Sequence, residues 1–207
     1  MMLNIVPFNK NPDEWHCIHA AMQSVIKKFT GDYYSLDYLN ALLNPEHDLW
    51  VWPLQVVKAL DELGLFVRVF TSQDVTKLPD SLSNFPEQYK ILTHAKTLKN
   101  AVNYVATRGL QEKKNLTLNE IEKALQEGCL PIVILGTKKY MGKYVILTGY
   151  DSQNIYYHET GPDKTEPNRA IPKEKFLEKW MEIPSLNTAV MVYGKKQGNG
   201  YLKYRLA

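Results

Sequence analysis

Cysteine is scarce in this chain: two residues, Cys17 and Cys129, out of 207. So small a number excludes a disulfide framework, and neither residue sits in the paired spacing of a cysteine-rich zinc site. Each is therefore read as a separate thiol. Long apolar runs are missing as well. The longest, Leu130 to Leu135, is far too short to cross a bilayer. Met1 to Lys10 lacks the charged leader, apolar run and small-residue cleavage site of a secretory signal. These absences point to a cytoplasmic protein with no membrane partner. Dense charge of one sign is absent too. The net charge is +3, and the pairs Lys27-Lys28, Lys113-Lys114, Lys138-Lys139 and Lys195-Lys196 are scattered. They make no basic stripe, so no nucleic-acid partner is expected. No repeat, low-complexity tract or linker interrupts the sequence, and its length suffices for a sizeable core. Residues 1–207 are expected to form one domain.

What is present is helical first and stranded second. Asn11-Pro12-Asp13 breaks the chain. Ile18, Ala21, Met22, Val25, Ile26 and Phe29 then recur at helical steps. Asp13 is the expected N-cap of this helix and Gly31 its stop. Ser35 caps a second helix through Leu43, and Trp52-Pro53 opens a third that closes at Gly64. Leu65 to Phe70 is a short β-type run. Residues 72–92 hold Pro79 and Pro86 and stay ambiguous. His94 to Thr107 reads as helix, and Thr117 to Glu120 is a capping box for another that stops at Gly128. Leu130 to Gly136, Lys143 to Tyr150, Asn154 to His158 and Ala189 to Val192 are strand-like, with a helix from Lys173 to Met181. The pattern predicts an α+β fold, N-terminal helices packed on a C-terminal antiparallel sheet.

Cys17 falls in the first turns of the first long helix. Unpaired amides and the helix dipole there favour a thiolate, the nucleophilic form. The same residue also fits as a small buried hydrophobe. Cys129, between Gly128 and a strand, is expected to be a core thiol. His16 and His19 flank Cys17, but positions one or two apart on a helix do not face each other, so both are read as packing or surface residues. Glu46, His47 and Asp48 are consecutive in a polar loop, which is not the spacing of a structural metal site. His94 reads as a helix-start residue. No cofactor or metal is expected. Asn115-Leu116-Thr117 fits a glycosylation sequon but is read as part of a helix cap.

The run Glu14-Trp15-His16-Cys17-Ile18-His19-Ala20-Ala21-Met22-Gln23 resembles the nucleophile region of the bacteriocin-processing (double-glycine leader) peptidases, a papain-like cysteine peptidase family. The similarity continues through Trp52-Pro53-Leu54-Gln55 and resumes at Gly128 to Val133. It is clearest in Gly142-Lys143-Tyr144-Val145-Ile146-Leu147-Thr148-Gly149-Tyr150-Asp151, followed by Ile155-Tyr156-Tyr157-His158-Glu159, with Phe176 and Trp180 in a late helix. Apart from roughly residues 72–115, it covers the chain in order. The resemblance implies a papain-like fold, with Cys17 as nucleophile and a peptide or acyl substrate.

Three positions depart from the family's pattern. Lys143 stands where the family has its catalytic His. Glu159 stands for the Asp or Asn that orients it. Asn11, six residues before Cys17, takes the place of an oxyanion-stabilising Gln. A free Lys titrates near ~10.4 against ~6.5 for His, so a Lys cation cannot accept the Cys proton at neutral pH, although it can hold a thiolate by charge. His158 is the alternative base; strand alternation points it away from Glu159. Two functions follow. One is a thiol-dependent hydrolase or acyltransferase working through an acyl-Cys17 intermediate. The other is a catalytically impaired pseudo-peptidase that binds a peptide or protein partner. Lys143 is the residue on which they divide.

Overall fold

In the computed structural model the first long helix begins at Cys17 itself. This helix, α1, runs Cys17–Thr30. Gly31 ends it with φ of 82°, in the left-handed region, and its N–H returns to the Lys27 carbonyl at 3.1 Å. The structure describes residues 1–13, 15–43, 51–73, 95–137, 142–161, 164–181 and 187–196. Glu46 to Asp48, His94 and most of the ambiguous stretch lie outside the described residues. Helix α2 (Leu36–Leu43) follows Ser35, whose Oγ accepts the Tyr38 N–H at 3.1 Å. Helix α3 (Pro53–Glu62) carries proline at its first position. The Gln55 side chain accepts the Trp52 N–H at 2.8 Å and donates to the Leu43 carbonyl at 2.7 Å, tying α2 to α3. Helix α4 is Ala95–Thr107. Helix α5 (Leu118–Gln126) opens on the expected capping box: Thr117 Oγ1 accepts the Glu120 N–H while Glu120 Oε2 accepts the Thr117 N–H. Helix α6 is Lys173–Met181.

The strands are β1 (Met2–Leu3), β2 (Leu65–Phe70), β3 (Gln111–Glu112), β4 (Leu130–Leu135), β5 (Lys143–Tyr150), β6 (Asn154–Glu159), β7 (Glu166–Pro172) and β8 (Ala189–Lys195). They form one sheet in the order β3-β2-β8-β4-β5-β6-β7, with β1 paired to β5 outside that path. Every pairing is antiparallel except β2 with β3. β8, the last of these strands among the described residues, therefore sits in the interior of the sheet, between β2 and β4.

The two-residue pleat sorts this sheet into two apolar faces. Ile132, Ile134, Tyr144, Ile146, Val190 and Val192 pack with α1, α3 and α4. Val133, Leu135, Val145, Leu147, Met191 and Tyr193 pack with Ile121 and Leu125 of α5 and with Phe176 and Trp180 of α6. The fold is α+β, as the sequence pattern predicts. The arrangement differs from that prediction in its layers and its membership. Helices cover both faces of the sheet, and β2, from the helical half, belongs to the sheet.

The first eleven residues form a strap along this sheet. Leu3 pairs with Gly149, where an added Cβ would collide with the Met2 carbonyl oxygen, so β1 lies too close to β5 for any side chain there. Asn4 N–H donates to the Thr148 carbonyl at 2.7 Å, and Asn4 Nδ2 to the Leu125 carbonyl at 3.2 Å. Further on, Asn11 N–H donates to the Thr160 carbonyl at 3.0 Å, just past the end of β6. The strap thus runs from the far end of β5 to the end where β5 begins.

Candidate functional site

Cys17 is the first helical residue of α1, and the preceding His16 makes no side-chain cap bond. Asp13 is not the N-cap that the sequence suggests. Its Oδ1 accepts the N–H groups of Trp15 at 2.7 Å and His16 at 3.0 Å, so it closes the turn ahead of the helix, because Trp15 and His16 are not yet helical. Cys17 is partly exposed and packs against the cluster under α1. Burial pushes its thiol up, and this outweighs the backbone N–H groups of Tyr144 and Ile18 and the charge of Lys143, which pull it down. The sequence shows the helix start and the cation but not the enclosure by β5, which decides the balance. Cys129 is fully buried, and burial pushes its thiol well above the ordinary range, as fits a core thiol.

Lys143 opens β5 and Glu159 closes β6, on paired antiparallel strands. The Lys143 ammonium donates to Glu159 Oε2. Arg169 on β7 donates to the same oxygen at 3.0 Å, and the Tyr157 hydroxyl at 3.3 Å. Glu159 is 2% exposed and Lys143 31%. A buried carboxylate needs such charge-assisted partners. Burial, then the charge of Glu159, raises the Tyr157 phenol, which keeps it a proton donor. The ammonium's hydrogen bond goes to Glu159, and its charge is one of the influences that pull the Cys17 thiol down. Arg169 and Tyr157 join this cluster around Glu159, and the sequence reading misses both. Tyr157 carried a signal, since alternation puts it on the side of Glu159; Arg169 lies on a strand without one.

Asn11 is buried, and its Oδ1 accepts the Asp13 N–H at 3.2 Å. That bond orients the amide at the mouth of α1. His158 is buried as well. Its Nδ1 accepts the Asn168 N–H at 3.2 Å and its Nε2 lies 3.2 Å from the Val6 carbonyl. Backbone groups face both ring nitrogens. His16 and His19 pack ring against ring, centroids 4.7 Å apart, with His16 Nδ1 bonded to Asp13 Oδ2 at 2.7 Å. His19 is buried rather than a surface residue. Among the described residues no group of His, Cys, Asp and Glu is placed to hold a metal ion.

A family model described as the Peptidase_C39 like family matches residues 2–187. The chain belongs to this family. Solved structures share its fold. A C39-like peptidase assignment from Bacillus anthracis superimposes with a TM-score of 0.58 at 14% identity, covering 95% of this chain and 100% of that one. A double glycine motif protease from an AMS/PCAT transporter, in complex with the leader peptide, gives 0.53 at 13%, covering 92% and 94%. The peptidase domain of Streptococcus ComA, a bifunctional ABC transporter of a quorum-sensing pathway, gives 0.52 at 17%, covering 90% and 96%. No curated protein matches the chain. The C39-like fold places Lys143 and Glu159 side by side and Cys17 beside the Tyr144 amide, one residue along β5 from Lys143. Among the described residues of this C39-like chain, no helix is long and apolar enough to cross a membrane.

Proposed function

We propose that this C39-like chain is a thiol-dependent hydrolase or acyltransferase that forms a thioester on Cys17 with a peptide or acyl substrate. The observation that carries the reading is the Lys143 ammonium, held on Glu159 while its charge reaches the Cys17 sulfur. A fixed cation favours the thiolate that attacks a carbonyl. Asn11, oriented by its bond to Asp13, is the donor proposed for the oxyanion that develops. The reaction runs in two steps. The thiolate adds to the substrate carbonyl and expels the leaving group, and water or another nucleophile then cleaves the thioester. An ester leaves as an alcohol or phenolate and needs little help. An amide nitrogen must receive a proton as it leaves, and an ammonium tied to a carboxylate is a poor acid for that step. The double glycine motif protease bound to its leader peptide supports a peptide as substrate class. Two free thiols support a reducing, cytoplasmic setting, and residues 1–207 are proposed to act as a single domain.

The wild type is expected to be acylated at Cys17 by an activated ester, yet to turn over peptide amides slowly. The pair Lys143→His with Glu159→Asp restores the family's residues and is expected to raise amide turnover by part of the ~10²–10⁴-fold that a positioned acid–base supplies. Fast amide hydrolysis by the wild type, unchanged in Lys143→Ala, would show that Lys143 is not at the base position. Burial of the thiol favours a second reading, a pseudo-peptidase that binds a peptide. That reading wins if neither wild type nor the restored pair reacts while a peptide still binds.

A further inference from the structure

His158 joins two parts of the chain that are remote in sequence. On one side its Nε2 lies 3.2 Å from the carbonyl of Val6, in the middle of the N-terminal strap, and its ring meets Phe8 edge-on with centroids 5.1 Å apart. Five residues beyond Val6 the strap delivers Asn11 to the mouth of α1, where Asn11 N–H bonds the Thr160 carbonyl. On the other side His158 Nδ1 accepts the backbone N–H of Asn168. Asn168 has φ of 51°, a left-handed conformation uncommon outside glycine, and the β6–β7 register shifts between Tyr157 and Glu159. The next residue is Arg169, which donates to Glu159 Oε2.

These bonds define the tautomer. Nδ1 faces an N–H and must be bare; Nε2 faces a carbonyl and must carry the proton. A single neutral ring therefore satisfies a strap carbonyl and a bulge amide that β-pairing leaves over.

We infer that His158, as its Nε2–H tautomer, is the positioning residue that sets Asn11 from one side and Arg169 from the other. It touches neither the sulfur nor the substrate. It acts through the strap on the proposed oxyanion donor, and through the bulge on the carboxylate that anchors Lys143. The catalytic consequence rests on the function proposed above; the mechanical linkage does not.

Nitrogen-15 NMR of the wild-type protein at neutral pH tests the tautomer directly. A bare, acceptor-type Nδ1 and a protonated Nε2 are expected for His158. The Nδ1–H tautomer or a charged ring overturns the assignment. Site-resolved amide exchange tests the linkage. In His158→Ala, protection is expected to fall together at Asn168 and at Asn11, while the α5 amides keep theirs, and His158→Gln, which retains a donor and an acceptor, is expected to recover much of it. Loss at Asn168 with Asn11 unchanged, or no recovery in the Gln variant, refutes a two-sided anchor.

Acylation of Cys17 by p-nitrophenyl acetate tests the consequence. His158→Ala is expected to slow it by about tenfold, within the ~10²-fold that a misplacement near 1 Å produces. In an Asn11→Ala background the same change is expected to cost only part of that, because the route through Arg169 and Glu159 remains while the route through Asn11 is already lost. An equal loss in both backgrounds removes Asn11 from the path and overturns the inference. If even the wild type takes no acyl group, the proposed function fails, and the tautomer and exchange results still decide the role of His158.

Discussion

Burial holds Cys17, His19 and His158 on the uncharged side of their equilibria, each near the start of α1 or under the strap. For His19 burial, then the charge of His16, lowers the ring to about 4, and Asn40 and Asp13 offset only part of this. Burial lowers His158 as well. Unfolding returns both to their ordinary value of ~6.5. Below that value the unfolded chain binds more protons than the folded one, so the stability they confer is complete above pH ~6.5 and is lost as the pH falls toward the folded values. For His19, 3% exposed, the loss by pH 4 is about 3 kcal/mol. The urea midpoint is expected to drop between pH 7.5 and 4.5, and to drop less in His19→Leu; equal drops would show that His19 is not held neutral. Cys17 behaves as a thiol whose reactivity depends on charge. Iodoacetamide is expected to label it well before Cys129, with an inflection above the ordinary thiol range, and Lys143→Met is expected to shift that inflection further up. An unshifted inflection would mean that the ammonium does not reach the sulfur. The residues Cys17, Lys143, Glu159 and Asn11 were legible as candidates from their ordered resemblance. The direction of the thiol's shift was not, because it depends on how closely β5 encloses α1.

Among the elements, those with a period were legible and those without one were not. Helices α1, α3, α5 and α6 and strands β4, β5 and β6 fall close to where apolar spacing and caps put them. β1 and β3 have two residues each, too few to show alternation. β7 reads Glu166-Pro-Asn-Arg-Ala-Ile-Pro172. It is an edge strand, where polar residues and proline are tolerated, so it carries no strand signature. Missing it meant missing Arg169. β1 has a sharper test in Gly149. The Cβ of Gly149→Ala would collide with the Met2 carbonyl and meet the Leu3 Cα at 2.9 Å, so β1 must lift away. Destabilisation of about 1–3 kcal/mol is expected, with protease cleavage inside the first eleven residues. An intact strap at wild-type stability would refute the tight β1–β5 contact. At α5 the Thr117 cap is solvent-exposed, and Thr117→Ala is expected to cost about 1 kcal/mol in chemical denaturation with no change at Cys17; a change in Cys17 labelling would mean that α5 and the site are coupled.

At the scale of the molecule, β8 joins the two sides of the sheet. β8 lies between β2 and β4, so β2 and β3 join the β4–β7 part of the sheet through residues 189–195. The sequence marked Ala189 to Val192 as a strand but gave no sign of its place, because strand order depends on which edges meet and not on local pattern. Deleting residues 188–207 is expected to abolish cooperative unfolding altogether; a folded product retaining β4–β7 pairing would show that the two halves are independent. The place of β5 and β6 in the chain has a consequence for the molecule as it is made. Lys143 follows Cys17 by 126 residues and Glu159 follows it by 142, roughly 6–28 s at ~5–20 residues per second. Throughout that interval the thiol has neither the enclosure that raises it nor the cation on Glu159 beside it. A newly begun molecule therefore carries an ordinary, accessible cysteine, and it is during synthesis, rather than after folding, that oxidants and electrophiles in the cell have their best access to it.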